Sequence, residues 1–176
     1  MTVLVRRQSL TSRHDFYRDT QKSGTGDFDF STGSSDVRHR RLRQWLAGCG
    51  EWEEFSATTE CWQLVGGAAN VDELQVPERG FTRLSLRLLD PERGEWTIYW
   101  ANSRDGRLQP PVTGRFRDGV GLFYGDDTHE GRAVRVRYTW SAITPVSARW
   151  DQAFSSDQGQ TWEVNWIMEF TRRPGR

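Results

Sequence analysis

The stretch FTRLSLRLLDPERGEWTIYWAN, residues 81–102, decides the fold. Its first half alternates, with Leu84, Leu86 and Leu88 on one side and Arg83, Ser85 and Arg87 on the other. Its second half, 95–102, places Trp96, Ile98 and Trp100 on one side. Between them, Asp90-Pro91-Glu92-Arg93-Gly94 is a turn, because proline presets φ and glycine is free to take positive φ. A period of two residues belongs to pleated strands, whose successive side chains point to opposite faces. The segment reads as a β-hairpin whose apolar side faces a core.

The same texture extends both ways. Downstream, Arg104-Asp105-Gly106-Arg107 is an Asp-Gly turn, and a second, Asp118-Gly119, separates strands 112–117 and 120–125. Strand 132–140 sets Val134, Val136, Tyr138 and Trp140 against Arg135, Arg137 and Thr139. Strand 147–155 aligns Ala148, Trp150, Gln152 and Phe154, and the turn Asp157-Gln158-Gly159 follows. Strand 161–172 aligns Trp162, Val164, Trp166, Met168 and Phe170. Upstream, Gly66-Gly67 turns the strand 53–65 into 70–76. An Arg-rich strand, 36–46, carries Val37, His39, Arg41, Arg43 and Trp45 on one face.

About ten short strands joined by hairpin-like connections need a solution for their edges, and closing the sheet on itself removes them. The fold class expected is therefore all-β, an antiparallel up-and-down β-barrel of about ten strands, with a two-sheet sandwich as the alternative. The residues expected inside are Leu84, Leu86, Leu88, Trp96, Ile98, Trp100, Val134, Val136, Tyr138, Trp140, Trp150, Phe154, Trp162, Trp166 and Met168.

Composition agrees with one such domain. The chain has 176 residues, 35% hydrophobic and 12% aromatic, with nine tryptophans. That length is one ordinary domain, and the aromatic content is too high for a chain unable to build a core. No apolar run approaches the roughly 20 residues of a membrane-spanning helix, so no membrane partner is expected. The formal net charge is zero, which gives no global attraction to nucleic acid. Lys22 is the only lysine, so arginine supplies almost all the positive charge. Two cysteines, Cys49 and Cys61, make neither a disulfide framework nor a structural zinc site. Val3 to Val5 is too short for a secretory core, and the expected location is a reducing bacterial cytoplasm. Residues 1–26 read as a flexible N-terminal tail, and 27–173 as the barrel domain.

Several local motifs resemble a bacterial family of unknown function. They begin with Phe28-Asp29-Phe30-Ser31-Thr32-Gly33. They continue through Leu84–Pro91, Trp96-Thr97-Ile98-Tyr99-Trp100 and Gly121-Leu122-Phe123-Tyr124-Gly125-Asp126-Asp127. They end at Ala148–Ser155 and Gly159-Gln160-Thr161-Trp162. The resemblance spans roughly 27–173. It implies a calycin-like barrel, similar in shape to lipocalins and fatty-acid-binding proteins, and implies little about activity.

The tryptophan-rich interior is the main candidate site. Trp96, Trp100, Trp140, Trp150 and Trp166 could wall a pocket for a hydrophobic or aromatic small molecule, oriented by His39, Arg41, Asn102 or Gln152. The alternative is that the rings simply fill the lumen and each indole N–H finds a partner. In Arg38-His39-Arg40-Arg41-Leu42-Arg43 a strand splits the charge between two faces, and Glu51 to Glu54 can neutralise it across a ladder. That pairing is favoured over a nucleic-acid surface. The stretch Gly125-Asp126-Asp127-Thr128-His129-Glu130-Gly131 reads as a polar loop and not a metal site. His14, His39 and His129 have no ligand spacing, and the last strands contain no proximal histidine for haem. No cofactor and no metal are expected, and no nucleophile elbow or phosphate loop occurs. The sequence thus predicts a small-molecule-binding barrel of unknown ligand. Two other readings stand beside it: a cyclase- or isomerase-type barrel enzyme, and a filled interaction domain that forms a homodimer.

Overall fold

The computed structural model describes residues 24–174. The stretch 1–26 read as a tail lies outside the described residues except for its last three positions. Ten strands follow in order: β1 (Gly33–Leu42), β2 (Trp52–Leu64), β3 (Ala69–Val76), β4 (Phe81–Asp90), β5 (Glu95–Asn102), β6 (Val112–Arg117), β7 (Val120–His129), β8 (Arg132–Ser141), β9 (Ser147–Ser155) and β10 (Glu163–Arg172). Each pairs antiparallel with its sequence neighbours, and β1 pairs with β10, so the sheet is a closed barrel. Closure leaves no edge strand, as the run of alternating segments required.

The turns form where the sequence places them. Asp118 and Gly119 both take positive φ, 51° and 77°, which is the geometry of the mirror-image hairpin turn. Gly66 and Gly67 also lie at positive φ, and a Cβ on Gly67 would come within 3.1 Å of the Thr25 carbonyl. The Arg-rich strand ends at Leu42, four residues short of the predicted end, and Trp45 belongs to the following loop. The acidic partners are as expected. Arg38 and Arg40 pair with Glu54 at 2.8 and 3.5 Å, Arg41 with Glu53 at 2.7 Å, and Arg43 with Glu51 at 3.7 Å. The polar stretch 125–131 is not a loop: β7 continues through it to His129, and only Glu130 and Gly131 turn.

Two sets of inward residues need correction. Leu84, Leu86 and Leu88 face outward; Leu84 and Leu88 are 42% and 41% exposed, whereas Ser85 and Arg87 are each 5% exposed. The β4–β5 register is the cause. Asp90 lies opposite Glu95, so Leu89 opposes Trp96, Arg87 opposes Ile98 and Ser85 opposes Trp100. Side chains directly opposite one another share a face, so Trp96 and Ile98 turn inward together with the arginines. Trp162 also lies outside, 4.6 Å under the Arg137 guanidinium and edge-on to Tyr124. A β-bulge between Val164 and Trp166 interrupts the alternation of β10. The extra residue, Asn165, shifts everything before it to the opposite face. The other predicted interior residues, from Trp96 and Ile98 through Met168, do point inward.

Candidate functional site

One end of the barrel is plugged by a short 3₁₀ turn, Asp29–Ser31, that precedes β1. Phe28 is 2% exposed and stands edge-on to Trp96 and Phe116, at 5.0 Å from each. Asp27 accepts a hydrogen bond from the Trp96 indole at 3.1 Å. Trp96 is therefore a member of the plug, fully buried at this end.

The other end is covered by Trp45, from the β1–β2 loop. Its ring lies edge-on to Phe154 at 5.1 Å, its indole donates to the Leu42 carbonyl, and the neighbouring Leu46 amide donates to Glu163. At this mouth Arg41 and Arg79 share the Glu53 carboxylate at 2.7 and 3.0 Å. The Arg79 hydrogen bond, followed by that from Arg41, holds the Glu53 carboxyl below its ordinary range. Arg41 is thus engaged by an internal carboxylate, which it shares with Arg79. Asn102, at the end of β5 opposite Arg83, accepts the Arg104 amide with its side chain.

Between the two ends the interior is mixed in character. Trp100, Trp140, Trp150 and Met168 line a void of about 30 Å³ together with Asp72, Arg83, Ser85, Arg87 and Tyr138. A second void of about 20 Å³ lies toward the plug, bounded by Phe30, Ser31, Cys61 and Trp140. Spaces of this size hold one or two waters each. Aromatic side chains fill most of the lumen. The Trp150 ring lies 4.8 Å from Tyr138 and 6.1 Å from Trp166. Gln152 is 6% exposed and donates to Asn165 at 2.9 Å.

His39 is 1% exposed and stacked on Phe55 at 4.4 Å. Its Nδ1 accepts the Trp166 indole at 3.0 Å, which places the imidazole proton on Nε2, and that atom has no hydrogen-bond partner. Burial, and then the guanidinium groups of Arg83, Arg41 and Arg79, push its pKa down to about 3, so it is neutral at any physiological pH. Burial pushes the Cys61 thiol up, which keeps it protonated and a poor nucleophile. Burial likewise raises Tyr138 to about 12, leaving a neutral hydroxyl. Among the described residues no group of three or more His, Cys, Asp or Glu side chains could hold a metal ion.

The sequence reading missed the interior charges. Arg87 donates to Asn70 at 2.7 Å and pairs with Asp72, all three buried. Arg83 lies 5.9 and 5.6 Å over the Trp150 and Trp166 rings, with the Met168 sulfur at 3.6 Å. The signal that could have found them is the turn: four residues between Asp90 and Glu95 fix which side of β4 meets Trp96. The structure brings Trp100, Trp140, Trp150 and Trp166 into or beside one central space, with His39 and Gln152 packed around it. Trp96 sits in the plug, and Arg41 and Asn102 at the mouth.

No family model and no curated protein matches the chain. Its fold is similar to that of the S-type phycobiliprotein lyase CPES of Guillardia theta, with a TM-score of 0.53 at 11% identity over 85% of this chain and 92% of that one. The likeness is one of architecture and supports the calycin-like assignment of the barrel.

Proposed function

We propose that the protein is a small-molecule-binding barrel of a calycin-like bacterial family, working in the cytoplasm and taking a ligand with an aromatic or apolar body. The observation that carries this reading is the central space, where Trp100, Trp140 and Trp150 meet two guanidinium groups and a neutral tyrosine hydroxyl. Apolar walls with a few convergent polar groups are the ordinary make-up of a ligand site. A core selected only for packing would not place arginines there, since burying a charge is costly unless it is paired. The space accommodates about two waters. A larger ligand therefore seats by moving Trp100, a lining residue that is only partly buried. The structural neighbour is named as a lyase, so the same architecture supports an enzyme elsewhere.

Native mass spectrometry of the freshly purified protein tests the reading. A discrete mass released on denaturation supports it. A bare chain, together with tryptophan emission unchanged on titration with 1-naphthol, overturns it.

The outer surface favours a second reading, an interaction domain with a filled lumen. Trp62 and Leu64 on β2 and Leu84 and Leu88 on β4, the strands either side of β3, are each more than two-fifths exposed. Exposed apolar side chains grouped on one face mark association sites. A homodimer by light scattering that Leu88→Lys dissolves would carry that reading.

A further inference from the structure

The interior of the barrel has a surplus of donors and of positive charge. Around the central space stand Arg83, Arg87 and Asp72, two cations and one anion. Asp72 is committed to Arg87. Arg83 has no carboxylate within 4 Å among the described residues; it donates to the Met168 thioether, a weak acceptor. Three buried atoms on residues that line this space have no hydrogen-bond partner: Arg83 Nε, Arg87 Nε and Trp140 Nε1. All three are N–H donors. Nearby, His39 Nε2 and Asn165 Nδ2 are also unpartnered donors. Among the described residues no buried side-chain oxygen is left in the same state. A set of unpartnered donors beside a guanidinium that contacts no carboxylate is complementary to an anion with several acceptor lone pairs.

We propose that Arg83 is the counter-ion for the carboxylate of the ligand, with Arg87 Nε and the Trp140 indole completing its hydrogen bonds. This deepens the ligand-binding reading and rests on it. A planar guanidinium matches a carboxylate in a bidentate fork, and such charge-assisted pairs are about twice as strong as neutral ones. The ligand class is a monocarboxylic acid, since one negative charge balances the three ionised groups. Its body lies against Trp100 and Trp150, flat surfaces suited to an aromatic or unsaturated chain. The Arg41–Glu53–Arg79 cluster at the mouth differs in that both of its guanidinium groups contact a carboxylate.

The test compares 1-naphthaleneacetic acid with 1-naphthaleneacetamide by isothermal titration, in the wild type and in Arg83→Met. In the wild type the acid is expected to bind at least about tenfold tighter than the neutral amide. In Arg83→Met that preference disappears while amide affinity stays within about threefold, and Arg83→Lys keeps part of the preference. Without ligand, Arg83→Met is expected to melt at a temperature no lower than the wild type, because it removes a desolvated guanidinium that contacts no carboxylate. Equal binding of acid and amide by the wild type overturns the carboxylate site and leaves the ligand-binding reading standing. Binding of neither probe by the wild type overturns both. An acid preference that survives in folded Arg83→Met places the carboxylate elsewhere and overturns the assignment of Arg83. The wild-type comparison needs no variant, so a misfolded Arg83→Met does not remove the test.

Discussion

Arg87 and Asp72 form an ion pair inside the barrel, on adjacent strands β3 and β4, with their side chains only 6% and 8% exposed. Each holds the other in place at the cost of two desolvations. Removing one partner leaves a bare buried charge, which costs about 3–5 kcal/mol. Asp72→Asn is expected to lose that amount in urea unfolding. The double variant Asp72→Leu with Arg87→Met is expected to recover most of it, since a buried pair replaced by apolar groups of similar volume is often neutral. A double variant as unstable as Asp72→Asn would show that the pair is itself a net source of stability.

The plug makes a separate prediction. Phe28 packs on Trp96, Phe116, Phe123 and Trp140 and lies under the Arg87 guanidinium. Phe28→Ala is expected to cost about 3–5 kcal/mol by leaving a cavity. It should also make the Trp96 fluorescence accessible to iodide. Unchanged quenching would mean that another group closes this end.

Backbone approach limits β6. A Cβ on Gly114 would meet the Leu122 carbonyl oxygen at 1.9 Å, whereas one on Gly50 meets nothing within 4 Å. Gly114→Ala is expected to destabilise by about 3 kcal/mol through forced separation of β6 and β7. Gly50→Ala should stay within about 0.5 kcal/mol of the wild type in the same denaturation series.

Stability should depend on acid through His39. In the unfolded chain its imidazole titrates near 6.5, and in the barrel it is pushed down to about 3, so the unfolded state takes the proton first. The contribution of neutral His39 is complete above pH 6.5 and is lost as pH falls from 6.5 toward 3, at up to about 1.4 kcal/mol per unit. Between pH 7 and 5 the wild type is expected to lose about 2 kcal/mol more than His39→Gln. Urea midpoints of both proteins at both pH values decide it, and parallel losses would assign the acid sensitivity to other groups.

The outward leucines are tested by polarity. Leu88→Lys and Leu84→Lys place a charge where it is already solvated and should cost under about 1 kcal/mol. Leu74→Lys buries one, because Leu74 is 2% exposed, and should unfold the protein. Equal damage from Leu88→Lys and Leu74→Lys in thermal melts would contradict the register of β4.

Strand number, turn positions and closure were legible because each rests on short-range signals: a period of two, Asp-Gly and Gly-Gly turns, and two sheet edges to hide. The pairing of Arg38 to Arg43 with Glu51 to Glu54 was legible for the same reason. The inside of β4 was not. The turn read as Asp90 to Gly94 sets Leu88 opposite Trp96 and so turns Leu84, Leu86 and Leu88 inward. In the barrel Asp90 is still paired, with Glu95, so the connection is one residue shorter and Leu89 faces Trp96 instead. That one-residue difference concealed Arg83, Arg87 and the polar part of the candidate site. Trp162 was misplaced because one inserted residue, Asn165, carries no sequence mark of a bulge. The opening Phe28-Asp29-Phe30 was quoted for its likeness and not for its work as a plug, which depends on contacts with strands far along the chain.

Because β1 pairs with β10 as well as with β2, the beginning of the strand order is arbitrary in space. Arg172 donates to the carbonyls of Phe30 and Thr32, and the Arg173 amide to that of Ser34, so the first and last strands are bound side by side. The barrel is in effect a ring of hairpins cut at one place. A circular permutant that bridges this seam and opens at Asp118-Gly119 keeps every ladder while moving the long-range closure to β6 and β7. In such a chain the last pairing to form would be a different one, and the order of assembly could be changed without altering a single contact of the finished wall.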